Sequence, residues 1–240
     1  MSNSDTYQCA SQLALANHIL VANGILDAFG HVSCRHPDLP DRFMISRNMA
    51  PSLVTDDDIL TVDFDGVVEG DTRTTYLERF IHAEIYRQRP DVKAIVHSHA
   101  ASVVPFTISK STKLCPVCHM SGFLAQEVGV FEIRDLAGSA TDLLIRNPAL
   151  GRSLAAKLGD DAVILMRGHG MTVVGRDIKQ AVFRAVYTEA NARIQISALA
   201  LGAFKALTAE EAMAADVANN SQIGRAWDYW ASNIVSEHSQ

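Results

Sequence analysis

No run of about 18 apolar residues occurs in the chain, so no helix is expected to span a bilayer. A basic stripe is also missing. Lys and Arg number 21 against 27 Asp and Glu, giving a net charge of -6 at pH 7. Phosphate-backbone binding requires a positive footprint, so nucleic acid is not expected as a partner. There are four cysteines, and the leading Met1 to Asp5 segment has neither the basic start nor the apolar core of a signal peptide. Together these features predict a cytosolic chain with reduced thiols. The Walker phosphate loop and the dinucleotide fingerprint are absent, which argues against ATP and NAD. Cys115-Pro116-Val117-Cys118-His119 has the spacing of covalent haem attachment. That chemistry needs an exported chain, and a structural zinc site would need a second ligand pair at suitable spacing. No internal repeat or low-complexity tract is found.

What remains is an ordinary globular composition, 240 residues with 48% apolar and 20% charged. One domain covering residues 1–240 is expected. A helix is predicted from about Tyr7 to Asn23, with Leu13, Ala16 and Leu20 at helical spacing and Gly24 as its stop. His31–Arg35, Arg42–Ser46 and Ile59–Phe64 read as strands, with Asp65-Gly66 as a hairpin turn. A helix is predicted from Tyr76 to Arg87, with Leu77, Phe80, Ile81 and Ile85 as its apolar stripe, and Arg89-Pro90-Asp91 ends it. Val92–His99 and Asp161–Met166 read as strands, and Met171–Val174 as extended. Asp177 caps a long helix, with Gln180 at the reciprocal position, that stops at Gly202. Trp227, Tyr229 and Trp230 suit either the chain's own core or a neighbouring subunit.

Three local features carry chemistry. His97-Ser98-His99 on a strand puts two imidazoles on one face about 7 Å apart, close enough to converge on one divalent ion. Taken alone, such a pair is more often two unrelated histidines. Gly168-His169-Gly170 lets the backbone turn sharply and present a third imidazole, and catalytic zinc-type sites favour three protein ligands and an open position. Glu78, on the helix before the histidine strand, could ligate the ion or transfer protons, and His82 one turn later could orient it. In the Ser46-Arg47-Asn48 loop, Arg47 could clamp a substrate carboxylate through two hydrogen bonds.

The order of these motifs resembles the class II aldolase/adducin family. The resemblance runs from about Leu13 to Gly202. It rests on Gly30-His31-Val32-Ser33-X-Arg35, Glu78, Arg89-Pro90-Asp91-Val92 with His97-Ser98-His99, and Gly168-His169-Gly170-Met171 with Gly175. It implies an α/β/α sandwich around a mostly antiparallel sheet and a homotetramer with active sites near subunit interfaces. It also implies a metal held by His97, His99, His169 and Glu78.

Sugar-phosphate aldolases of the family carry Asn where His31 stands and Thr-Gly in the next loop, with a Ser-Ser pair before the glutamate. Here Ser46-Arg47-Asn48-Met49 and Tyr76-Leu77 occupy those places. The pattern looks closer to the aromatic decarboxylases, which act on a hydroxy-methyl-pyridine dicarboxylate or on dihydroxyphthalate. The resemblance therefore implies a carbon–carbon lyase that decarboxylates an aromatic acid, with Glu78 catalytic and His31, Ser46, Arg47 and His119 binding substrate. Its cofactor would be one divalent ion per subunit, Zn2+ by its three imidazoles, or Mn2+ or Fe2+ if oxygen ligands join. The alternatives are an aldolase cleaving a sugar phosphate and a non-catalytic, adducin-like structural module.

Overall fold

The computed structural model describes residues 3–237. In chain order the helices are α1 (Asn3–Ala22), α2 (Arg79–Gln88), α3 (Val104–Ile108), α4 (Arg134–Ala137), α5 (Pro148–Leu158), α6 (Ile178–Leu201), α7 (Ala209–Asn220) and α8 (Ile223–Glu237). The strands are β1 (His31–Arg35), β2 (Arg42–Ser46), β3 (Ile59–Asp63), β4 (Ala94–Ser98), β5 (Val130–Phe131), β6 (Val163–Met166) and β7 (Gly170–Gly175). They form a single sheet in the order β3-β2-β1-β4-β7-β6-β5. Each pairing is antiparallel except β5 with β6. Among the described residues no helix is long and apolar enough to cross a membrane.

Strand alternation divides the core in two. Val32, Ala94, Val96 and Val173 face a layer built from Leu13 and Ile19 of α1, Val182 and Phe183 of α6, and Trp227 and Trp230 of α8. Phe43, Ile45, Ile95 and Val174 face the other layer, from Ile81 and Ile85 of α2 and Leu154 and Leu158 of α5. The result is the expected α/β/α sandwich around a mostly antiparallel sheet. Its consequence for the site follows from the period of two. His31 and Ser33 alternate with Val32, and His97 alternates with Val96, so all three side chains point toward the α2 layer. Register then sets His31 opposite His97, and His97 opposite Thr172.

The structure corrects some local expectations. Tyr76 and Glu78 precede the helix instead of lying in it: α2 begins at Arg79, with Glu78 at its N-cap position. Tyr76 is drawn away because its hydroxyl donates to the Met49 carbonyl at 3.0 Å. Leu77, expected on the apolar stripe, is 55% exposed. Asp177 does cap α6, accepting from Gln180 N, but Gln180 Oε1 takes the Arg176 N–H instead of that of Asp177. The aromatic terminus packs on the chain's own core through Trp227 and Trp230, leaving Tyr229 exposed. Cys9 of α1 and Cys34 of β1 are placed with their sulfurs side by side, while Cys115 and Cys118 are free.

Candidate metal centre and active site

Three elements deliver the metal-type ligands. β4 supplies His97, and His99 follows it by two residues. The turn between β6 and β7 supplies His169, one residue after Gly168, whose φ of +64° is the left-handed conformation that glycine adopts without strain. The N-cap of α2 supplies Glu78. The ligand atoms of these four residues all lie within 4.8 Å of one another. His99 Nε2 is 3.2 Å from His97 Nε2 and 2.9 Å from His169 Nε2. Glu78 Oε2 is 3.6 Å from His97 Nε2 and 3.4 Å from His169 Nε2. A tetrahedral site with bonds near 2.0–2.1 Å has ligand–ligand edges of about 3.3 Å, so the spacing fits one ion.

Hydrogen-bond accounting supports the same reading. His169 Nδ1 lies 3.1 Å from the Leu143 carbonyl, which can only accept, so Nδ1 carries the proton and Nε2 offers a lone pair. Thr172 Oγ1 donates to Met166 sulfur and lies 3.4 Å from His97 Nδ1, which fixes His97 in the same tautomer. Two imidazole lone pairs therefore converge near a third ring nitrogen and a carboxylate. A cation answers that arrangement, and the bonds behind the rings are those that orient metal ligands.

Glu78 is held by the backbone N–H of Ile145, which donates to Oε1 at 2.9 Å. Burial pushes its pKa up. In the metal-free site the neighbouring His169 and His97 rings and the Ile145 N–H outweigh that and hold it at about 2. His97 and His99 are both lowered, chiefly by burial. His82 does not orient Glu78. It turns to His31 and Ser33, at 2.6 Å from each.

A cavity of ≈ 440 Å³ opens on the centre, lined by Phe29, His31, Asn48, Met49, Tyr76, Leu77, Leu144 and the ligands Glu78, His97 and His99 among others. The remaining sequence-predicted residues divide. His31 is in the wall. Ser46 lies behind it: its hydroxyl donates to Tyr76 Oη at 2.8 Å, since the tyrosine proton is committed to Met49. Arg47 Nε donates to Asp58 at 2.7 Å, and Asn48 and Met49 line the cavity in its place. The short helical turn at 56–58 sets that carboxylate beside the end of β2. His119 lies in a separate groove with Leu207, Glu211 and Ala215. Leu143, Ile145, Thr172 and Tyr76 were missed as supports. Thr172 was accessible from strand register, but the Leu143 and Ile145 contributions are backbone groups with no sequence signal.

Residues 11–196 match the Class II Aldolase and Adducin N-terminal domain family. The chain belongs to this family. It is 43% identical over 199 residues to Decarboxylase tropJ of Talaromyces stipitatus, covering 78% of this chain and 74% of that protein. It is 30% identical over 208 residues to 3,4-dihydroxyphthalate decarboxylase of Arthrobacter keyseri, covering 79% of this chain and 78% of that protein. Among solved structures, an aldolase II superfamily protein from Pseudomonas syringae superposes with a TM-score of 0.79 at 22% identity, covering 98% of this chain and 95% of that one. The lyase class and the sandwich fold expected from the motifs are those of these relatives.

Proposed function

We propose that this family lyase decarboxylates a hydroxylated aromatic or heteroaromatic acid, with His97, His99 and His169 holding a zinc or manganese ion and Glu78 moving the proton. The observation that carries the reading is the convergence of three imidazoles and one ionised carboxylate on a cavity whose wall is largely apolar. The 440 Å³ cavity is within the usual range for a small ligand, and Phe29, Met49, Tyr76, Leu77 and Leu144 offer surface to a flat ring. Both named relatives are decarboxylases.

When bound, the divalent ion supplies a Lewis acid for a ring oxygen or carboxylate. The residues of the chain do the rest. Glu78, held ionised, accepts the proton of a ring hydroxyl ortho to the departing carboxylate. It then returns that proton to the ring carbon bearing the carboxylate, and the ring oxygen becomes a carbonyl. The C–C bond breaks, carbon dioxide leaves, and the bonding pair restores the aromatic ring and its oxyanion. Glu78 ends as it began. The apolar wall excludes water from this exchange.

Arg47 would reach a substrate carboxylate only by leaving Asp58. His119 is apart from the cavity within one chain, so it would serve the substrate only from a neighbouring subunit of the homotetramer we propose. A cytosolic location is part of the same proposal. The functional test offers ortho-hydroxy aromatic dicarboxylates and sugar phosphates side by side to metal-loaded protein. Carbon dioxide from the former supports the reading. Cleavage of the sugar phosphates alone overturns it in favour of an aldolase.

A further inference from the structure

A chain of buried polar groups runs from the cavity into the α2 layer. Tyr86 Oη lies 2.8 Å from Ser33 Oγ, Ser33 Oγ lies 2.6 Å from His82 Nδ1, and His82 Nε2 lies 2.6 Å from His31 Nδ1. All four side chains are buried. His31 also lines the cavity, and its Nε2 has no protein partner among the described residues. The topology builds the chain: β1 turns His31 and Ser33 to the α2 face, and α2 sets His82 and Tyr86 on one side, four residues apart.

The protons in this chain can be counted. In one direction the Tyr86 hydroxyl donates to Ser33, Ser33 donates to His82 Nδ1, and His82 Nε2–H donates to His31 Nδ1. Every proton then has an acceptor, and the remaining His31 proton sits on Nε2, facing the cavity. In the other direction His31 Nδ1–H donates to His82, His82 to Ser33, and Ser33 to Tyr86. The phenol proton then has no acceptor in a fully buried position, which disfavours this direction. Only this second direction presents a bare ring nitrogen to the cavity.

We infer that Ser33 and His82 are positioning residues that lock His31 as an N–H donor, so that the ligand atom it meets is an acceptor. On the proposed decarboxylase reading, that atom is a carboxylate or phenolate oxygen of the aromatic acid, and a ring bearing an amino group there is rejected. The lock does not depend on which reaction the site performs.

The test is the tautomer of His31, read from one-bond and long-range proton–nitrogen NMR correlations on zinc-loaded protein. Wild type shows the Nε2–H form. Ser33→Ala removes the hydroxyl that ranks the two directions, so the ring becomes a mixture, with zinc content unchanged. Tyr86→Phe keeps the Nε2–H form, because reversal would still strand the Ser33 proton. An Nδ1–H form in wild type overturns the inference without any variant. So does an unmixed Nε2–H form in folded Ser33→Ala. A hydroxybenzoate product analogue should move the Nε2–H resonance. If the tautomer pattern holds and that resonance does not move, the aromatic-acid reading fails while the lock survives.

Discussion

A glutamate that is buried yet ionised needs specific partners, and Glu78 has them in His169, His97 and the Ile145 N–H. Glu78→Gln keeps an oxygen for Ile145 and the same shape, so fold and most of the metal should persist. Activity should fall by roughly 10²-fold, the usual scale for a lost proton-transfer group. Near-normal turnover would make the carboxylate structural. Arg47 calls for a different expectation. Burial raises the Asp58 carboxyl, but the Arg47 and Thr55 hydrogen bonds win and hold it below its ordinary value of 3.8. A depressed carboxyl contributes stability above its unfolded pKa and loses it as pH falls through the folded value. Arg47→Ala should therefore melt lower than wild type near neutrality, with the gap closing in acid below about pH 4. KM should change little. A large rise in KM with unchanged melting would mean that Arg47 leaves Asp58 for the substrate. Much of this residue-level picture was readable. His97, His99 and His169 came from strand alternation and a glycine-flanked turn. The ion pair of Arg47 was not readable, because it depends on a turn whose carboxylates all look solvated in sequence.

At the level of elements, β4 and β7 carry the centre between them. A Cβ on Gly170 would collide with the Ser98 carbonyl, so this glycine permits the close approach that sets His97 beside His169. Gly170→Ala should cost on the order of 1–3 kcal/mol as the neighbours are forced apart, measurable by chemical denaturation, and should lower metal content. An unchanged midpoint with full metal content would contradict this account of the hairpin. Most sheet strands were legible, β1 and β3 from alternation and β2 and β4 from short apolar runs bounded by polar residues. The start of α2 was not, because the helical spacing of Leu77 with Phe80 and Ile81 continued past the point where tertiary hydrogen bonds of Tyr76 stop the helix. Two-residue β5 has too little sequence to show a period, and its parallel pairing with β6 depends on contacts distant in the chain.

For the whole molecule, the site sits at the end of the central strands β1, β4 and β7, where Phe29 and Leu77 remain exposed beside the cavity. The proposed homotetramer would cover such surface, and light scattering at micromolar concentration should give four times the 26.1 kDa chain mass. A monomer would contradict it. The central claim is that a metal held by three histidines performs decarboxylation here. The most direct measurement follows carbon dioxide release from a hydroxylated aromatic dicarboxylate, with metal content determined on the same samples, for wild type and for His169→Ala. The account predicts about one divalent ion per chain and carbon dioxide release in wild type, with both lost together in the folded variant. Full metal content and undiminished release in His169→Ala would contradict it.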